Sequence, residues 1–560
     1  MNLNKKERSR SMLNNIFENY LPTSDTNKQR TLRRSILFRK NNPRIAFISP
    51  QVIGAKNQLR KCTPPLGIAA LAAVLEKKQF CDDIYVLDAA VEDYDNVRTL
   101  DDNPNFIIYG MPDEDVLKKL REYKPDVVAI ASLFSSQVEC ALNVAHAIRE
   151  SFPNLLIVMG GNHATYRSGK LLETQEAIDF VFRGEADLAF ADFIEKYFLG
   201  LNFYDVPGLV RRDDDKMIVN PDPVLIHDLD ELPDPALHYT AMEKYFKIDM
   251  FHNPFTKSGR VGTVMTSRGC PAECYFCTSY IFHGKPFRRW SSKRTIEHIH
   301  FLVEKYKIEE LQIMDDTFTS LWKRVVEIMD GIKHLNLRVT LPNSIRADLP
   351  LNRENRFTMF KAMREAGVVN FGLGVEHGDQ DFLNNVIRKR LDLGEVKASI
   401  EMAHQVGITV HVAFILGFPH ETAVNRENSM NFARNLDADS FSVSFASPLP
   451  GTPMWDIVVK DNLFLPNFNL GRLVFTVPSI KPADISPDDL YNYVEKVNKE
   501  LNEMAQRKRP EAAKKKLKMF NDKNKTASGD RKFQFAPELE SSNYIPKEPL
   551  VKKLDYDTNN

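Results

Sequence analysis

Residues 266–280 read TSRGCPAECYFCTSY and continue the apolar stretch GTVM, which is predicted to be a strand. Three of the chain's six cysteines, Cys270, Cys274 and Cys277, lie in this segment with the spacing CxxxCxxC. Thiolates are soft ligands that suit iron–sulfur clusters and zinc, so three on one short loop can close around one metal centre. The segment therefore predicts a metal centre at the end of a strand.

Six strand candidates, with helical segments between them, surround and follow the cysteines. They are GTVMTSR (262–268), ELQIMDD (310–316), RVTLPNSI (338–345), VNFGLGVEH (369–377), TVHVAFILGF (409–418) and DSFSVSFAS (439–447). Repeated β/α units of this kind predict a partial (β/α)6 barrel of the TIM type over 259–453. Its active site is expected at the C-terminal ends of the strands.

An earlier region, 44–200, has a similar alternation. RIAFISP, DIYVLDA, DVVAIAS, LLIVMGG and IDFVFRGE are short apolar strands, and amphipathic helices occur between them. Continuous apolar strands indicate a parallel sheet that is covered on both faces. The fold class is therefore α/β, with an N-terminal doubly wound, Rossmann-like domain that binds ligands beyond its strand ends.

The remaining segments are less regular. Residues 1–43 form a polar N-terminal extension, and 201–258 form a connector rich in Pro and Asp. A C-terminal segment is predicted over 454–505. The Lys-rich end, 506–560, is expected to be a flexible tail.

Composition excludes several classes of protein. The chain has 560 residues, 75 Lys and Arg against 75 Asp and Glu, and 43% hydrophobic residues. That length predicts two or three domains, and the zero net charge argues against a nucleic-acid-coating protein. No apolar run reaches the length of a membrane span, and the polar start lacks a signal peptide's apolar core. Six cysteines are too few for a disulfide scaffold, so we expect a cytoplasmic protein with reduced thiols.

The sequence is compatible with more than one kind of metal centre. His283 follows Cys277 by six residues and could complete a Cys₃His zinc site. Structural zinc usually uses paired CxxC elements, whereas this loop lies where a barrel presents its chemistry. An iron–sulfur centre is therefore favoured. A zinc-containing or redox-sensing binding protein without turnover stays as the alternative from another class.

The CxxxCxxC segment after the first barrel strand resembles that of the radical S-adenosylmethionine superfamily. The resemblance implies that Cys270, Cys274 and Cys277 ligate a 4Fe–4S cluster, beside which S-adenosylmethionine binds. It also implies that Phe276 lies against the adenine. The segments MDDTF, NSIRAD, GVEHG and FILGFP resemble the family's other cofactor-binding motifs, which adds Asp315, Asp316, Arg346, Glu376 and Gly417.

Four loops of the first domain resemble those of the cobalamin-binding domain that precedes many radical S-adenosylmethionine barrels. They are TPPLG (63–67), ASLFSS (131–136), GGNHAT (160–165) and RGEAD (183–187). The residues implied to bind cobalamin are Pro65, Leu66, Gly67, Ser132, Gly160, Gly161, His163, Gly184 and Glu185. We expect His163 to contact a loop or the cofactor's tail rather than cobalt.

This resemblance, which spans about 44–450, implies a cobalamin-dependent radical methyltransferase. Such an enzyme acts on an unactivated carbon of a small molecule through a 5′-deoxyadenosyl radical and methylcobalamin. A radical cyclase or rearrangement enzyme with the same cofactors is the alternative. Tyr280, His283 and His411 are candidate substrate contacts at the barrel mouth. An external one-electron reductant such as flavodoxin or ferredoxin is the expected protein partner.

Overall fold

A computed structural model describes residues 42–510 and 514, apart from 57, 82, 214, 215 and 467. The predicted N-terminal extension up to residue 41 and most of the predicted tail lie outside the described residues. None of the described helices is long and apolar enough to cross a bilayer.

The first domain is built on a seven-stranded sheet. Its spatial order is Ile84–Asp88, Ile45–Ser49, Val127–Ala131, Leu156–Gly160, Phe180–Phe182, Leu209–Asp213 and Lys216–Val219. The five predicted strands are confirmed and run parallel. The last two come from the predicted connector: Leu209–Asp213 pairs antiparallel with Phe180–Phe182, and Lys216–Val219 pairs antiparallel with Leu209–Asp213. The strand order reverses between Ile45–Ser49 and Val127–Ala131, the kind of point where such sheets bind ligands.

Helices cover both faces of this sheet, because its five parallel strands are apolar on both sides. They are Leu66–Lys77, Asp113–Tyr123, Val138–Ser151, Asn162–Thr174 and Asp187–Leu199. Neighbouring residues of the central strand serve different cores: Phe47 packs in one cluster and Ile48 in the other. The alternation of apolar and polar residues in the sequence did not predict the helix Asn162–Thr174. It also did not predict a small antiparallel sheet, which consists of Val52–Ala55, Asn103–Tyr109 and Val97–Leu100.

The second domain is a six-stranded parallel sheet whose spatial order follows the chain. Its strands are Val261–Val264, Glu310–Ile313, Arg338–Ile345, Val368–Glu376, Thr409–Leu416 and Ser440–Phe445, which confirms all six predictions. The main helices are Ser292–Tyr306, Trp322–Ile332, Arg353–Glu365, Leu393–Gln405 and Ala423–Arg434. A short hairpin, Ser267–Arg268 with Arg288–Arg289, closes the base of the cysteine segment.

The C-terminal segment packs against both domains. Helix Pro487–Lys508 packs on the last barrel strand, and Asn498 and Asn502 each donate to and accept from that strand's backbone. These amides satisfy an edge that would otherwise be open to pairing. Between helix Pro453–Lys460 and this one, the chain reaches back to the first domain, where Arg472 pairs with Asp102 at 2.7 Å.

Candidate active site

One cavity of about 1310 Å³ lies between the C-terminal strand ends of the two domains. Its wall includes Asp88 and Gly160 from the ends of first-domain strands, and Met314 and Glu376 from the barrel. Pockets for a single small molecule usually measure about 300–1,000 Å³. The cavity therefore has room for more than one bound molecule, with one domain on each side.

The three cysteines of the CxxxCxxC segment all line this cavity, and none forms a disulfide. Cys274 is buried, and Gly269 before the segment has a φ of +89° with no room for a side chain against the Pro286 carbonyl. The backbone is held from both sides. The Tyr275 amide donates to the Ile387 carbonyl, and the Met454 amide donates to the Tyr275 carbonyl, each at 3.0 Å.

The thiols of this segment form a donor set. Burial, with smaller contributions from Cys274 and Cys270, raises the pKa of Cys277 to about 12, so a metal must displace protons to bind. Within the described chain no three His, Cys, Asp or Glu side chains converge closely enough to hold one metal ion. Three soft sulfur donors that face one cavity fit an iron–sulfur cluster, which is wider than a single ion.

The two aspartates of MDDTF occupy different positions. Asp316 lines the cavity and accepts a hydrogen bond from Ser279 Oγ at 2.5 Å. Asp315 is buried outside the cavity wall, where it accepts from the Thr266 amide and hydroxyl and from Ser267 Oγ. Asp315 thus holds the start of the cysteine segment, and Asp316 is the carboxylate that faces the cavity.

Arg346 and Glu376 line the cavity, but both already have partners. The Arg346 guanidinium binds Asp348 through Nε and Nη2 and donates to the carbonyls of Lys389 and Arg390. Glu376 accepts from Lys389 Nζ at 3.0 Å. A carboxylate ligand would therefore meet a guanidinium whose five N–H donors already make four hydrogen bonds.

Phe276 lies on the cavity wall and packs on Phe418, with ring centroids 5.7 Å apart. Gly417, with a φ of +80°, donates to Glu421 and lies outside the wall. The structure adds wall residues that the sequence analysis did not single out, namely Thr278, Ser279, Asn343, Ser344, Gly374 and Lys389. Asn343, Ser344 and Gly374 lie near the C-terminal ends of their strands, and Thr278 and Ser279 directly follow Cys277, so these positions were the available signal.

Most of the predicted cobalamin-binding residues meet at the other side of the cavity. The wall contains Pro65, Leu66, Gly67, Gly160, Gly161, His163, Gly184 and Glu185, whereas Ser132 lies behind it. Gly161 has a φ of +112°, and a side chain there would come within 2.6 Å of the Ser132 carbonyl oxygen. The loops can approach a bulky ligand closely because these glycines have no side chains.

His163 is buried to 2% exposure on this wall. Its Nδ1 shares a hydrogen bond with Ser135 Oγ at 3.0 Å, and its Nε2 has no partner among the described residues. Burial lowers the pKa of His163 to about 3, so the ring is neutral. A buried polar atom without a partner is uncommon and fits a polar ligand bound here.

Glu185 is the centre of a buried ion cluster between the domains. Its carboxylate contacts Arg268 at 2.9 Å and His283 Nδ1 at 2.6 Å, and it also binds Arg288. Arg268 reaches Asp187 at 2.8 Å as well. Burial would raise the pKa of Glu185, but hydrogen bonds from Arg288 and His283 and the Arg268 charge hold it well below its usual range. The RGEAD loop is thus tied to the cysteine segment.

The predicted substrate contacts are separated. His283 lines the cavity, and its Nδ1 binds Glu185; among the described residues it does not converge with two other metal-ligating side chains. Tyr280 is half-buried outside the cavity wall. His411 lies between Ser440 Oγ and Ser442 Oγ, each 2.9 Å away, and also outside the wall.

Comparison with known proteins agrees with this arrangement. The family model for the B12 binding domain matches residues 54–194, and that for the radical SAM superfamily matches residues 264–433. An uncharacterized methyltransferase of Pyrococcus horikoshii is 31% identical over 423 residues, which are 75% of this chain and 84% of the relative.

Two further relatives carry names of reactions. The cytidylyl-2-hydroxyethylphosphonate methyltransferase of Streptomyces wedmorensis is 29% identical over 490 residues, covering 82% of this chain and 90% of that protein. The anaerobic magnesium-protoporphyrin IX monomethyl ester cyclase of Cereibacter sphaeroides is 26% identical, covering 80% and 69%. Among solved structures, the cobalamin-dependent enzyme OxsB superposes with a TM-score of 0.64 at 16% identity, covering 91% of this chain and 76% of OxsB.

Proposed function

This chain belongs to the cobalamin-dependent radical S-adenosylmethionine enzymes, and on that premise we propose that it methylates an unactivated carbon of a small molecule. The observation that supports this proposal is that one cavity is lined both by the Cys270–Cys277 segment and by the GGNHAT loop. Methyl transfer by these cofactors requires both to reach one substrate. Cavity volume and the two facing walls support that arrangement.

The cluster supplies an electron that cleaves S-adenosylmethionine, and cobalamin supplies the methyl group. The chain's own residues bind, orient and exclude water. Cys270, Cys274 and Cys277 hold the cluster, Asp316 with Ser279 presents a polar contact for the adenosylmethionine, and Phe276 provides an apolar surface. Gly160, Gly161 and His163 form the opposing wall for cobalamin. The Glu185 ion cluster fixes the position of the two cavity walls relative to each other.

The substrate is proposed from relatives. The Streptomyces wedmorensis enzyme is named for a cytidylyl phosphonate, so this compound is the first candidate to test. We also propose a cytoplasmic location, since all six cysteines are unpaired thiols. We further propose an external one-electron reductant, because the proposed cleavage of S-adenosylmethionine consumes an electron.

The test is anaerobic reconstitution with iron, sulfide and cobalamin, followed by incubation with methyl-deuterated S-adenosylmethionine, reductant and the candidate phosphonate. We expect 5′-deoxyadenosine and a product that carries the labelled methyl group. Cys274→Ala should abolish both, whereas Cys140→Ala, at a buried cysteine of the first domain, should not. Product without added methyl would favour ring closure or rearrangement, and zinc in place of a cluster would refute both reactions.

A further inference from the structure

The solvent side of the cysteine segment carries a basic patch, which we define as Lys285, Arg388 and Arg390. All three residues are exposed. Lys285 pairs with Glu273 at 2.9 Å. Within the described part of the chain, the side chains of Arg388 and Arg390 make no ion pair or hydrogen bond. The patch therefore has excess positive charge.

The two arginines belong to a turn whose side chains alternate between surface and interior. Ile387 and Leu391 are fully buried, and Lys389 is buried where it pairs with Glu376 on the cavity wall. Arg388 and Arg390 have φ values of +63° and +53°, in the left-handed region that L-residues rarely adopt. Two such residues within three positions send both arginines outward while Lys389 stays inside.

This turn is attached directly to the cysteine segment. The Ile387 carbonyl accepts from the Tyr275 amide at 3.0 Å, next to Cys274. Across the surface, Lys285 Nζ pairs with Glu273, the residue directly before Cys274. The basic patch thus lies on the outer face of the same short segment whose thiols face the cavity.

We propose that the basic patch docks an acidic one-electron carrier protein, such as a flavodoxin, an inference that rests on the proposed function. In each encounter the reduced carrier loses one electron, which passes across the Cys270–Cys277 segment. That electron is taken up when the sulfonium carbon–sulfur bond of bound S-adenosylmethionine breaks, giving methionine and a carbon radical. Complementary charge raises encounter rates and fixes orientation between such partners.

A nucleic acid suits this surface less well. Binding to phosphate chains depends on many basic residues along a groove or face. Here the patch has three cations beside Glu273, and the whole chain has 75 basic and 75 acidic residues. A compact charged surface beside the cluster ligands matches a small protein that must approach closely.

The test compares two reductants for the double variant Arg388→Glu/Arg390→Glu. With reduced flavodoxin, the carrier's KM for 5′-deoxyadenosine formation should rise about tenfold or more, because attraction becomes repulsion. With dithionite, a small reductant, the rate should match that of the wild type. Lys216→Glu/Lys361→Glu makes the same charge change at two exposed sites, one on an edge strand and one on an outer helix, and should leave both rates unchanged.

Calorimetry of flavodoxin binding to the reconstituted protein gives a readout without turnover. Wild-type affinity should fall as salt rises, and the double variant should bind weakly at every salt concentration. An unchanged carrier KM and affinity in the variant would overturn the docking site, as would an equal loss with dithionite. If wild-type protein fails to cleave S-adenosylmethionine with dithionite, the proposed function fails, while calorimetry still decides the docking site.

Discussion

Replacing Glu185 by glutamine removes the charge at the centre of the interdomain ion cluster. The Glu185 side chain is 3% exposed and contacts Arg268, His283 and Arg288. Removing one partner of a buried ion pair costs about 3–5 kcal/mol, since the remaining charges stay buried. Glutamine keeps an acceptor oxygen, and Arg268 keeps Asp187, so we expect a loss of about 3 kcal/mol in the free energy of unfolding.

Urea denaturation followed by tryptophan fluorescence measures this change, because Trp290 is buried in the first-domain core although it belongs to the barrel region. Glu243→Gln is the matched control: its carboxylate also pairs with an arginine, Arg260, but is 74% exposed and should cost under about 1 kcal/mol. Because the folded pKa of Glu185 is lowered, its contribution is present above the unfolded value near 4.5 and shrinks as pH falls. A loss under about 1 kcal/mol at pH 7 would refute the reasoning.

Three other substitutions test separate features. Gly161→Ala should lower the free energy of unfolding by about 3 kcal/mol and reduce the cobalamin retained after desalting, because the new side chain meets the Ser132 carbonyl at 2.6 Å. The control Gly169→Ala, at a helical position with open space around it, should instead stabilise the helix. Equal effects of the two substitutions would contradict the argument. Burial raises the pKa of Asp88 to about 6, so this group should lower the free energy of unfolding by up to about 3 kcal/mol as the pH rises from 4 to 7 in urea titrations. Asp88→Asn should reduce that slope, and Asp113, whose pKa burial also raises to about 6, accounts for a slope that stays. Asn498→Ala should lower the free energy of unfolding by about 2 kcal/mol, because it removes two hydrogen bonds to the Val443 backbone. An unchanged Tm would show that water replaces those hydrogen bonds.

Prediction from the sequence was most successful where a pattern is local. All eleven predicted strands form, because continuous apolar runs specify buried strands. The antiparallel strands Leu209–Asp213 and Lys216–Val219 were missed because they carry charged residues at a sheet edge. The helix Asn162–Thr174 was missed because its sequence is polar and has no side-chain cap.

Within the site, local sequence indicated which residues end strands but not which partners they meet. Asp315 and Asp316 are adjacent and chemically identical, yet one holds a backbone and the other faces the cavity. Glu185, implied to bind cobalamin, has its carboxylate bound by Arg268, His283 and Arg288 from the barrel region. Those partners are 83 to 103 residues away in the chain.

The sequence by itself determined the chemistry: CxxxCxxC, the order of the strands and the glycine loops depend on spacing within short segments. Only the tertiary structure decided how the two domains face each other, since the cavity and the Glu185 cluster combine residues from distant segments. The same holds for the basic patch, because Lys285 is about a hundred residues before Arg388 and Arg390 in the chain. Local pattern fixes which elements form, whereas charge pairing and burial between elements depend on packing that no single segment contains.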